Sequence, residues 1–196
     1  SHVYDDIGEH TISITGTFPN IYMVGNPAMK PKIKRVLNLG IVGWTNFDLA
    51  FYECSNLTEF TAGSTDTSSV TSTAQMFRSC TGLTSVDVSS FDTSSVNLMS
   101  IMFFNCSSIT SMVGVEDFII TGLNSTSSLS FFLSAGKMTT AQYDNLLVKW
   151  EAQASGIPAM TAAFGASEYT GGGAAATAHT SLTDVYGWSI GDGGIA

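Results

Sequence analysis

The sequence predicts an α/β repeat fold: a short solenoid of about four coils, with an N-terminal β cap and a C-terminal α-helical cap. Three observations predict it. First, Ala50-Phe51-x-x-Cys54, Met76-Phe77-x-x-Cys80 and Met102-Phe103-x-x-Cys106 are one motif written three times at a 26-residue period. Second, the same step maps Leu57 onto Leu83 and Ile109, Phe60 onto Val86 and Met112, and Asp66-Thr67-Ser68-Ser69-Val70 onto Asp92-Thr93-Ser94-Ser95-Val96. Third, the repeats end where a different pattern, an amphipathic helix, begins near Met138. A single coil buries only half of its apolar face, so stacked coils need a cap at each end.

The N-terminal segment comes first in the chain. Thr11 to Gly16 alternates apolar and polar residues and reads as a strand ending in a turn, and Phe18 to Val24 reads as a second strand. Gly25 to Pro31 is a loop with two prolines. Ile33, Val36 and Leu37 open an irregular first coil, and Trp44 is expected to plug its core. Within a repeat, Ser85-Val86-Asp87-Val88 alternates with period two. Val86 and Val88 point inward, and Ser85 and Asp87 point outward. The three cysteines fall on one repeat position, so they are expected to form a buried column of small apolar side chains. An odd count argues against a full disulfide framework, and no histidine accompanies the column to complete a zinc site.

The stretch "MFRSCTGLTSVDVSSFDTSSVNLMSIMFFNCSSITSM" resembles the BspA-like leucine-rich repeats of bacterial surface proteins and bacteriophage tail proteins. The resemblance runs from Lys32 to Phe132. It departs from the pattern at Thr61 to Thr65, where the Ser-Phe of the next repeat is missing, and at Phe131-Phe132, where the cysteine is lost and the spacing is 29. It implies a leucine-rich-repeat solenoid. The string "HVYDDIGEHTISITGTFPNIYM" resembles the closing strands of a PKD-like β-sandwich. The tail from Thr139 resembles a C-terminal module that follows such repeats in phage and marine bacterial proteins. The expected division is residues 1–31 as a PKD-like remnant serving as the N-terminal cap, 32–135 as repeats, and 136–196 as the helical cap module.

In that last part, Val115 to Leu123 reads as a variant strand and turn. Met138 to Ala154 reads as a helix capped by Thr139 or Thr140. Its apolar face is Tyr143, Leu146, Leu147 and Trp150. The Gly- and Ala-rich run from Thr170 carries no lysine and cannot be a phosphate cradle. It reads as a loop into a helix through Leu182, followed by a short strand from Trp188 to Ile190.

Composition restricts function. The chain has 196 residues, 12% of them charged, and a net charge of −9. That disfavours nucleic acid as a partner. Lys30, Lys32, Lys34 and Arg35 hold four of the seven basic residues, and they read as a solvated edge of the first coil rather than an anion site. No apolar run is long enough to span a membrane, and no signal peptide is visible. The chain begins Ser1-His2 without Met, which points to a processed product or a fragment.

No catalytic motif stands out. His2, His10 and His179 lie far apart, each without a partner motif. Asp192-Gly193-Gly194 reads as a turn cap rather than a calcium loop. The expectation is therefore a non-enzymatic protein with no cofactor and no metal. The candidate ligand-binding residues lie on the exposed strand face: Glu59, Thr61, Ser85, Asp87, Ser111 and Val113. Solenoids commonly bind through such faces. The expected role is a phage tail or fibre component, or a bacterial surface adhesin, located extracellularly, on a virion or at the cell surface. Its expected partner is a host cell-surface glycan or protein. The alternative is a decoration subunit that contacts other virion or surface-assembly subunits, with homo-oligomerisation open. An ice-binding Thr array is disfavoured, because the column 61/87/113 reads Thr, Asp, Val.

Overall fold

Four short strands share one parallel sheet: β1 (Arg35–Val36), β2 (Glu59–Thr61), β3 (Ser85–Asp87) and β4 (Ser111–Val113), in the order β1-β2-β3-β4. The computed structural model describes residues 8–196. Register follows the sequence step: Glu59, Phe60 and Thr61 pair with Ser85, Val86 and Asp87, and these pair with Ser111, Met112 and Val113. Phe60, Val86 and Met112 are buried, and the flanking residues face outward. Period-two alternation therefore sets the sheet's faces. The β1–β2 step is two residues shorter, placing Arg35 opposite Glu59.

A second ladder of hydrogen bonds runs along the opposite side of the same turns. The amides of Phe51, Phe77 and Phe103 donate to the carbonyls of Met76, Met102 and Phe132. Leu133 then donates to Ala163, and Phe164 to Gly191. The ladder thus crosses the expected boundary at residues 135/136 without a gap.

The Phe-x-x-Cys corner is built from left-handed backbone. Leu49, Gln75 and Ile101 have φ of 58°, 58° and 62°, and Glu53, Ser79 and Asn105 have φ of 59°, 61° and 59°. An L-residue pays about 1–2 kcal/mol for this conformation. The corner recovers it through hydrogen bonds between turns, such as Glu53 N–H to Arg78 O at 2.8 Å and Ser79 N–H to Phe104 O at 2.8 Å. The Asp-Thr-Ser-Ser-Val segment is a second repeated device. Asp66 and Asp92 each accept the amide two residues on, while buried Thr67 and Thr93 each bond the backbone of the following turn.

The core is continuous. Phe51, Phe77 and Phe103 stack ring on ring, at centroid distances of 5.7 and 5.2 Å. Cys54, Cys80 and Cys106 are free and fully buried. Two of them do more than fill space: the Cys80 and Cys106 thiols donate to the Phe51 and Phe77 carbonyls, at 3.0 and 2.9 Å. Burial pushes the Cys54 and Cys106 thiols up to about 11 and about 12, and raises Cys80 further still.

The N-terminal segment corrects the reading of two strands. Thr11 to Gly16 is not a strand, and Ile12 and Ile14 are exposed. Alternation predicts a strand only where one face finds a core, and here neither does. Phe18 to Val24 makes one bridge, Asn20 to Asn46, rather than a strand. It also follows the 26 step: Thr45 N–H donates to Pro19 O, Met23 N–H to Leu49 O, and the Phe18 ring meets Trp44 edge-on at 5.8 Å. Trp44 is buried, with its indole N–H on Gly40 O. His2 to Ile7 of the PKD-like string lies outside the described residues.

Three further corrections concern single elements. Leu37 is exposed, and Leu39 takes the core position instead. Lys30 is not solvated: it is 8% exposed, paired with Glu53 at 2.7 Å and set over the Tyr52 ring. Lys34 and Arg35 pair with Glu9. Val115–Asp117 is a 3-10 turn and not a strand, entered through Gly114 at φ 88°. A Cβ on Gly114 would run into the Ser89 backbone.

Beyond the sheet, α1 (Thr140–Glu151) begins at Thr139 with a capping box to Gln142. Its Tyr143, Leu146, Leu147 and Trp150 are all buried. Strands β5 (Thr161–Ala163) and β6 (Glu168–Tyr169) follow, then α2 (Gly173–Thr180), β7 (Ser189–Gly191) and β8 (Gly194–Ile195). β5 pairs with β7 and β6 with β8, both parallel. None of the described helices is long and apolar enough to cross a membrane.

Candidate functional site

The six sequence-predicted site residues come together on the outward face of β2, β3 and β4. Parallel register sets Glu59, Ser85 and Ser111 in one column and Thr61, Asp87 and Val113 in the next. Neighbouring strands lie about 4.8 Å apart, so each column presents one side chain per rung. Five of the six are partly covered by neighbours, and Val113 is 43% exposed. Asp87 is partly committed, since its Oδ1 accepts from both the amide (3.0 Å) and the hydroxyl (2.6 Å) of Ser89.

Beside these columns, Thr58, Thr84 and Thr110 form a third. Thr84 and Thr110 each donate amide and hydroxyl to the preceding threonine's carbonyl, and Thr58 does the same to Lys34. The rim of the face is thereby pinned by its own hydrogen bonds. At the β4 end, Gln142 Oε1 reaches the Met112 amide at 3.5 Å, so α1 closes the sheet edge. The face carries two carboxylates, short hydroxyls and one exposed valine.

A polar cluster lies in the C-terminal part, where sequence reasoning found no partner for His179. Tyr143 OH donates to Asp192 Oδ2 at 2.6 Å, and His179 Nε2 lies 3.3 Å from the same oxygen. Asp192 Oδ1 accepts the Gly194 amide, so the turn-cap reading describes half of what Asp192 does. The His179 ring stacks on Tyr169 at 4.6 Å. Burial, then the Asp192 carboxylate, pushes the Tyr143 phenol well above its ordinary range. Tyr143 has no exposed surface. The cluster ties α1 and α2 to the last turn. Among the described residues, no three His, Cys, Asp or Glu side chains converge as a metal site.

Sequence reasoning also passed over the variable residue after each motif phenylalanine: Tyr52, Arg78 and Phe104. The 26 step that aligns the cysteines aligns these too, and it was the available signal. The structure brings them together, with Arg78 lying over both rings.

With this geometry in place, comparison with known proteins adds one finding. Residues 38–128 match the model of a family described as "Mycoplasma protein of unknown function, DUF285". The matched stretch contains β2, β3 and β4 and the three cysteine corners. No curated protein and no solved structure matches the chain.

Proposed function

We propose that this chain is a short leucine-rich-repeat solenoid of the BspA-like type and a non-enzymatic binding module. Its ligand is a host cell-surface glycan or protein, and its setting is a phage tail or bacterial surface. The observation that carries the reading is the register of Glu59, Ser85, Ser111 and Thr61, Asp87, Val113 on one outward face. Such a face is pre-organised by the backbone, so binding costs little side-chain ordering. The family match supports the reading because it falls on the stretch that carries the BspA-like resemblance.

The test is capture of the fluorescent protein, displayed multivalently, on bacterial cells and on a glycan array. Binding that is lost when Ser85 and Ser111 are both changed to Arg supports the strand face. Binding to no surface at any valency contradicts the module reading.

A specific observation favours the second reading, a decoration subunit. Ile12, Ile14, Leu37 and Ile41 are exposed toward one end of the chain, and Val185 and Ile195 toward the other. Apolar patches mark contact surfaces. Mass from light scattering that rises with concentration, without any host-surface capture, would favour it.

A further inference from the structure

We propose that the corner column Tyr52–Arg78–Phe104–Phe131 is a second binding site, made for a carboxylate-bearing glycan. This rests on the reading of the chain as a binding module, but it uses a different surface from the strand face.

The column is a product of the repeat. Tyr52, Arg78 and Phe104 each follow the buried phenylalanine of their turn, so the Phe-x-x-Cys corner aims all three outward. The Arg78 guanidinium carbon lies 5.5 Å from the Tyr52 ring centre and 5.9 Å from that of Phe104. Phe131 extends the row, edge-on to Phe104 at 6.0 Å. Phe131 is 57% exposed and has φ of 50°. An aromatic ring held in water on left-handed backbone is a costly arrangement, and such costs gather at functional sites.

Arg78 has no direct ion pair among the described residues, although the Glu53 carboxylate feels its charge. Lys30 pairs with Glu53, and that ion pair, with the Tyr52 hydroxyl and a smaller contribution from Arg78, holds the Glu53 carboxyl below its ordinary range. Among the described residues no carboxylate pairs with Arg78. Its fork is oriented instead by Gln75, whose Oε1 accepts from Nη1 at 2.6 Å, and its Nε is buried without an acceptor. On a chain of net charge −9, this is a fixed cation with donors to spare. A planar fork of that kind matches a carboxylate in bidentate fashion.

The flanking chemistry selects a sugar acid over a simple anion. Tyr52 and Phe104 sit two rungs apart, about 10 Å. They flank the guanidinium on either side; Lys30 and Arg78 lie over the Tyr52 ring, and Phe131 is the exposed ring of the row. A pyranose presents a C–H face to an aromatic ring and hydroxyls at its rim. Gln75 borders the column through its bond to Arg78, and Ser79 and Asn105 follow Arg78 and Phe104 in the chain; these carry the amide and hydroxyl groups that such a rim needs.

The experiment is calorimetric titration of the whole chain with three probes: a tetrasaccharide containing hexuronic acid, its carboxyl-reduced form and sodium sulfate. We expect the acidic tetrasaccharide to bind at least tenfold more tightly than the reduced form, with sulfate a weak competitor. R78K, which keeps the charge and loses the fork, should weaken binding at least tenfold. Phe131→Ala, on an exposed ring, should weaken it several-fold, with the melting temperature of each variant confirming the fold. Val148→Ala, on the exposed side of α1 and away from both proposed surfaces, should leave it unchanged.

The proposal is overturned if the acidic and reduced forms bind alike, if R78K binds as the wild type does, or if sulfate competes as well as the sugar. It is also overturned if no probe binds. Capture on host surfaces through the strand face would survive each of these outcomes, so the two readings fail separately.

Discussion

At the scale of single residues, the fold rests on positions the repeat makes equivalent. The cysteines are the plainest case. Each buried thiol holds its proton more tightly than an unfolded thiol, whose pKa is about 8.5. Stability from this source is therefore whole below about pH 8.5. It falls as pH rises from there through the folded values of about 11 and 12 for Cys54 and Cys106. Alkylation at pH 8 should consequently modify none of the three in the native chain and all three in denaturant. Rapid native modification would place them at the surface. The stacked rings make a second prediction. Phe77 lies between Phe51 and Phe103 with no exposed surface, so Phe77→Ala should cost about 3–5 kcal/mol by denaturant titration. The motif phenylalanines and cysteines were legible in the sequence because periodicity reports burial. Tyr143, Asp192 and His179 were not. They converge from three separate elements, and no local pattern encodes that.

At the scale of elements, the left-handed corners carry the strain. Ser79 has φ of 61° with its amide bonded to the next turn. Glycine fits that backbone freely, although it loses more entropy on folding. Ser79→Gly should therefore stabilise by about 0.5 kcal/mol, read as a shifted denaturant midpoint. A loss of stability would mean that the Ser79 side chain contributes more than its backbone costs. The helix cap makes the complementary case. Thr139 and Gln142 satisfy each other's amides, so Thr139→Ala should cost about 1 kcal/mol. The capped helix was legible because its start signal and apolar face agree. The segment from Thr11 to Gly16 was misread because alternation without a core to face carries no structural information. The turn at Val115–Asp117 was misread because Val115-Glu116-Asp117-Phe118 has no clean period of two and fits several local conformations.

At the scale of the whole molecule, hydrogen bonds run turn to turn from Phe18 to Gly191. The step of 26 residues was legible in the cysteines and holds from Pro19–Thr45 through Thr71–Asn97. Its extension at both ends was hidden. At the N-terminal side Phe18 replaces the aligned tryptophan. At the C-terminal side the next bridges fall 30 and 31 residues on, Phe103 to Leu133 to Phe164, with the 3-10 turn inside the first of these turns and α1 inside the second. Function depends on this order, since both proposed surfaces are columns of side chains from successive turns. The direct measurement is dipolar broadening between nitroxides placed at exposed Thr58→Cys and Thr110→Cys, the native thiols being shielded. They are 52 residues apart in sequence but two rungs apart in space, about 10 Å between backbones. Strong broadening for this pair, with none for Thr58→Cys and Thr71→Cys across one turn, is the predicted result. The reverse order of the two signals would contradict the stacked register and both surfaces built on it.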